Sequence, residues 1–309
     1  VSDMYILRVI RMLGHADLLS ICTVLMAERE KEERKAKEEN RPIRCIPKLD
    51  RRSLKERLDT LAMSGLVIVE KFQINETVYA YLKSAKSEAH QTRQMYSLTA
   101  HATYAFRTML EADQQLRFDS KTIWLNEMTK MERANAGVLA AVFLKQKYMS
   151  KYIFSYRLKN VKGIDELPAI IDFKKEGVMP TRLVIFAVNF YTNERIVTEK
   201  DHSYYINSKV RGFCTALRAV IHETTGNGST FAAIICEDAK GIQKVISMIQ
   251  SIDEPLMKHC IFTTGTVLIS RSALSKADVL PGCFVEPVFN SEKARWQIVG
   301  ATGFYFLEA

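Results

Sequence analysis

The sequence predicts a mixed α/β protein of two domains: a helical domain closed by a β-hairpin, then a domain built on a mixed sheet. Three observations carry that expectation. A capped amphipathic helix over 50–63 runs directly into two β-branched or aromatic stretches. Beyond Lys147 the texture changes from helical periodicity to apolar runs alternating with helices, the pattern of a sheet covered by helices. The chain has 309 residues, 47% of them apolar, which is enough for two ordinary cores. The polar stretch 118–122 marks the expected boundary, giving domains over 1–118 and 119–309.

In the first domain Ile6, Ile10 and Leu13 recur at helical spacing. Asp17 is placed to cap a second helix, apolar as far as Met26. The continuation over 27–40 is a run of mixed charge in which Glu30–Arg34 and Glu33–Lys37 fall at helical spacing. It reads as a solvated helical extension with little to bury, or as a contact arm for a partner or a second copy of the chain. Pro42 closes it, because the residue before a proline avoids the helical region. Asp50 caps a third helix whose apolar stripe is Leu54, Leu58 and Leu61, and Gly65 ends it. Strands are expected over 66–72 and 77–82, with a short strand at 95–99 joining them and a helix over 100–116.

Another helix is expected over 121–146. Strands follow at 152–157, 169–173, 182–190, 230–236 and 260–264, with helices at 206–223 and 240–251. Short strands at 267–270, 284–288 and 297–306 complete the chain.

Charge is concentrated rather than spread. The whole chain carries +9, but between residues 41 and 57 seven cations (Arg41, Arg44, Lys48, Arg51, Arg52, Lys55, Arg57) face two carboxylates (Asp50, Glu56), a net +5. A helix with one apolar and one basic face, followed by a hairpin, is the pattern of a winged helix-turn-helix. In that arrangement the helix enters a major groove and the hairpin lies along the flanking backbone. Arg51, Arg52, Ser53, Lys55, Glu56 and Asp59 are then expected to face the groove, with Arg57 on the same basic helix. Arg44, Lys48 and Lys71 are expected to touch phosphate. The expected partner is double-stranded DNA.

Other chemistry is sparsely represented. The six cysteines are scattered without a Cys-x-x-Cys pair and the six histidines are dispersed, so reduced thiols and no metal site are expected. A metal-dependent nuclease would need several carboxylates at neighbouring strand ends and a lysine. Asp172-Phe-Lys174 supplies half of such a motif, and Glu237-Asp238 reads as a helix cap. Residues 226–229 lack the lysine and helix of a phosphate loop. No cofactor is expected, and a non-enzymatic role is favoured over a nuclease using Asp172 and Lys174. No stretch reaches the roughly 18 apolar residues of a membrane span, and no basic segment leads into an apolar core as in a secretory leader. A cytoplasmic location without membrane contact is expected.

Three segments carry a family resemblance: Arg52-Ser-Leu-Lys-Glu-Arg-Leu-Asp-Thr-Leu-Ala-Met-Ser-Gly-Leu66, Met95-Tyr-Ser-Leu-Thr99, and the strand–helix–strand unit over 231–262. In these the chain resembles the replication-relaxation family of plasmids and conjugative elements. The resemblance implies a winged helix followed by a domain related to the restriction-endonuclease-like fold. It also implies an accessory role in plasmid replication or transfer, with a relaxase or another transfer protein as partner. The sequence departs from the pattern where Pro180-Thr181 stands in place of an expected acidic residue, and where the following strand lacks a Glu-x-Lys step. Those departures imply a degenerate nuclease-like domain serving as a scaffold or docking surface. The alternatives are an active metal-dependent nuclease, and a winged-helix protein-interaction module or transcriptional regulator.

Overall fold

The computed structural model describes residues 2–43, 50–73, 92–105, 153–158, 169–175, 178–188, 199–224, 228–236, 239–264, 284–293 and 295–298. The chain is a mixed α+β protein whose described elements fall in two compact units, one reaching Ala105 and the other beginning at Ile153. The boundary expected near 118 lies outside the described residues, as does the helix expected over 121–146.

The first unit opens with α1, Ser2–Leu13, which buries Ile6, Leu7, Val9, Ile10 and Leu13. Gly14, at φ 77°, turns the chain while its N–H donates to the Ile10 carbonyl. The two-residue strand β1, Ala16–Asp17, follows, and Asp17 Oδ1 accepts from the Ser20 N–H at 2.7 Å to cap α2, Leu18–Glu38. Beyond α2 come α3, Arg51–Met63, then β2, Val67–Gln73, β3, Thr92–Leu98, and the short helix α4, Ala100–Ala105. The strands form one sheet in the order β1-β3-β2. β2 pairs antiparallel with β3 from Val67 opposite Leu98 to Gln73 opposite Thr92, and β1 pairs with the other edge of β3 at Tyr96 and Met95. The strand expected as a third member of the hairpin is therefore the direct partner of β2. The strand expected over 77–82 lies outside the described residues.

The charged half of α2 differs from expectation. Glu32 and Ala36 are buried, continuing the covered face of Ile21 and Leu25 at seven- and four-residue steps, so this helix is not solvated all round. Its end is built by Asn40 at φ 48°, with the Arg41 N–H reaching back to the Ala36 carbonyl at 2.9 Å. The Arg41 guanidinium returns to the Glu32 and Glu39 carboxylates.

The second unit is a five-stranded mixed sheet in the order β4-β5-β6-β7-β8. Strands β4 (Ile153–Leu158), β5 (Ala169–Lys175) and β6 (Val178–Ala187) form an antiparallel meander. Helix α5, Glu199–Thr224, then carries the chain to β7, Ser229–Cys236, parallel to β6. Helix α6, Ala239–Asp253, and a 3-10 turn over Glu254–His259 lead to β8, Cys260–Thr264, parallel to β7. The connections to parallel strands need a crossover, and the two helices supply it. The sheet interior reads as continuous apolar runs, Leu183–Val188 and Ala232–Cys236 being buried throughout. Phe186 stacks on Phe213 of α5 with ring centroids 4.3 Å apart, and Val245, Ile246 and Ile249 of α6 enter the same core.

β6 starts at Val178 rather than 182, because Val178 already pairs with Lys175 of β5. The short strands β9, Pro287–Asn290, and β10, Arg295–Ile298, form a separate hairpin in which Phe289 meets the Trp296 ring edge-on. The strand expected over 267–270 lies outside the described residues. Among the described residues no helix is long and apolar enough to cross a membrane.

Candidate nucleic-acid interface

Helix α3 is set in place by both of its ends. At the start, Asp50 Oδ1 accepts from the Ser53 N–H at 2.7 Å and the Asp50 carbonyl accepts from the Leu54 N–H. Hydrogen bonds from the Ser53 backbone N–H and then its side chain hold the Asp50 carboxyl below its ordinary range. At the other end Gly65 adopts φ +70°, its N–H donates to the Ala62 carbonyl, and the Leu66 N–H donates to the Leu61 carbonyl. That pair of bonds is a Schellman closure, and a left-handed residue is what it requires. Thr99 pins the turn, its N–H donating to the Leu66 carbonyl and its hydroxyl to the Gly65 carbonyl, while the same hydroxyl accepts from the Ala102 N–H and caps α4.

Leu54 and Leu58 are fully buried and Leu61 nearly so, which turns the opposite face of α3 outward. That outward face carries alternating charge. Arg52 Nε donates to Glu56 Oε1 at 3.2 Å and Lys55 Nζ to Asp59 Oδ2 at 2.9 Å, both one helical turn apart. Met63 ends the stripe and is 90% exposed. Arg51 is exposed, and no carboxylate among the described residues pairs with it.

The remaining residues expected to touch DNA are placed differently. Arg57 projects toward α1 and is paired with Asp3. Ser53 lies within the cap, half-buried. Lys71 is exposed on β2, in register with Gln94. Arg44 and Lys48 lie outside the described residues. Arg41, counted in the basic run, is engaged by Glu32 and then Glu39, which hold its guanidinium in the charged form. The structure thus brings Arg51, Arg52 and Lys55 together on one exposed surface. Sequence reasoning missed two features, the exposed Met63 and the Asp3 partner of Arg57. Met63 could have been found from its four-residue step after Asp59.

In the second unit Asp172 lies directly opposite Arg182 in the β5–β6 ladder, and Arg182 Nε donates to its Oδ1 at 2.7 Å. Arg182 Nη1 also lies 3.5 Å from Glu223 Oε2 at the end of α5. The Asp172 carboxylate is therefore occupied by a guanidinium. Lys174 holds a ladder position opposite Ile153, and Thr181, in place of the acidic residue, pairs with Phe173 and Ser229. Glu237 and Asp238 lie outside the described residues. No group of three or more potential metal ligands occurs among the described residues. Cys22, Cys214, Cys236 and Cys260 are buried, and Cys45 and Cys283 lie outside the described residues.

No family model matches the sequence, and no curated protein matches it.

Proposed function

We propose that this chain is a non-enzymatic, double-stranded DNA-binding accessory protein of a plasmid or conjugative element, acting in replication or transfer. Its first unit is read as a winged helix-turn-helix, with α3 in the major groove and the β2–β3 ribbon as the wing. The order helix, short strand, helix, helix, strand, strand supports this reading, as does the sheet order β1-β3-β2. The observation that carries it is the orientation of α3: leucines inward, with Arg51, Arg52 and Lys55 outward and accessible. An arginine can make a bidentate contact with guanine, whereas Lys71 suits phosphate.

The second unit is read as a degenerate restriction-endonuclease-like domain that serves as a scaffold, docking a relaxase or other transfer protein, or a second copy of the chain. An antiparallel meander leading through a helix into parallel strands supports that likeness. The capture of Asp172 by Arg182 speaks for a structural role. The plasmid setting rests on the resemblance of the segments 52–66, 95–99 and 231–262.

The test compares wild type with Arg51→Glu/Arg52→Glu on duplexes from plasmid origins at several salt concentrations. The variant is expected to bind more weakly, with a salt slope flatter by roughly 0.9 for each phosphate it no longer neutralises. Unchanged affinity and slope would remove α3 as the reader.

A further inference from the structure

We infer that Glu56 and Asp59 make α3 a sequence-selective reader, restraining Arg52 and Lys55 from indiscriminate phosphate binding and themselves accepting hydrogen bonds from base amino groups. The inference rests on the reading of α3 as the duplex-facing helix and concerns how that helix discriminates.

Arg52, Glu56, Asp59 and Met63 follow one another at steps of four, three and four residues, and Lys55 lies beside them, so all five share one stripe. Within the stripe each cation has a carboxylate one turn further on, at hydrogen-bonding distance. With Arg51 included, three cations meet two carboxylates, a net +1 on a face that would carry +3 without them. Sequence-independent DNA affinity comes from cations that displace counterions from phosphate, so a face this nearly neutral has little of it. A phosphate that draws Arg52 or Lys55 away leaves a carboxylate uncompensated against the polyanion. A base edge does better: guanine O6 and N7 can take the guanidinium while a neighbouring cytosine N4 amino group donates to the freed carboxylate. Met63, exposed at the end of the same stripe, suits apolar contact with a thymine methyl group. Donor, acceptor and methyl-binding groups in a fixed order form a pattern that only some duplex sequences complement.

The decisive experiment first enriches a preferred duplex from a randomised pool with the wild-type protein. Binding to that duplex and to a scrambled one is then measured for wild type and for Glu56→Gln/Asp59→Asn. Both substitutions are near-isosteric, Glu56 is exposed and Asp59 half-buried, and only two i,i+4 surface pairs are lost, so the variant is expected to fold, which circular dichroism checks. The variant is expected to bind the scrambled duplex more tightly. Its salt slope should steepen by up to about two units, and the preference for the enriched duplex should fall about ten- to a hundredfold. A preference equal to wild type overturns the inference, whatever happens to the scrambled affinity. Failure of the wild-type protein to retain any duplex overturns the proposed function and this inference with it.

Discussion

Arg57 of α3 reaches Asp3 of α1, with Nε donating to Oδ1 at 2.6 Å and Nη2 to Oδ2 at 3.2 Å. This two-bond contact ties the candidate reading helix to the first helix of the chain. Both side chains are partly exposed, so solvent screens the pair, and its worth is at most about 1 kcal/mol. Arg57→Ala is therefore expected to lower the urea midpoint slightly and to leave DNA affinity close to wild type. A drop in binding as large as that of Arg52→Glu would instead place Arg57 at the duplex.

Tyr96 of β3 is 1% exposed, and its hydroxyl has no hydrogen-bond partner among the described residues. Burial, with Asp59 and then Asp17 adding negative potential, pushes its pKa up to about 12. The folded chain thus keeps a proton that the unfolded chain releases at a lower pH. Stability from this group is complete below about pH 10 and is lost as pH rises toward 12. Tyr96→Phe should remove that alkaline loss. It should also stabilise the protein near neutrality by roughly 1 kcal/mol, because an unsatisfied buried hydroxyl disappears. Urea unfolding at pH 7, 9 and 11 checks both, and a less stable Phe variant would show that the hydroxyl is satisfied.

The Asp172–Arg182 pair sits mostly buried across two central strands, with side-chain exposures of 15% and 20%. Among the described residues, Asp172→Ala leaves the guanidinium with only the more distant Glu223 and should destabilise the fold by about 1–3 kcal/mol. Asp172→Asn keeps an acceptor and should cost less. Supercoiled plasmid incubated with the wild-type protein and Mg²⁺ or Mn²⁺ is expected to stay intact. Nicking that Asp172→Ala abolishes would restore the nuclease reading.

The buried thiols give a chemical readout of the cores. Burial pushes the Cys214 thiol up to about 11 and raises that of Cys260 further, so neither forms a thiolate readily. Iodoacetamide at pH 8 should leave Cys22, Cys214, Cys236 and Cys260 unmodified in the native protein and label them in urea, as peptide mass mapping would show.

Local signals in the chain were legible. Asp17 and Asp50 cap helices as their short polar side chains suggest, and Leu54, Leu58 and Leu61 form the inward stripe their spacing predicts. The strand at 260–264 has its expected limits because Cys260-Ile-Phe-Thr-Thr264 is rich in β-branched and aromatic side chains that favour extended backbone. The contacts between distant residues were not legible: Arg57 with Asp3, Asp172 with Arg182, and the β2–β3 ladder across an intervening stretch. The burial of Glu32 and Ala36 was hidden for the same reason, since a charged stretch of helix does not announce what covers it.

By itself, then, the sequence determined the caps, the helix periods and the concentration of positive charge over 41–57, because backbone preferences and side-chain spacing act within a few residues. Only the tertiary structure decided which of those charges stay available. Arg41 and Arg57 are held by carboxylates brought to them by folding, whereas Arg51, Arg52 and Lys55 remain on the open face of α3. Pairing depends on distance in space, and distance in space depends on how the helices pack.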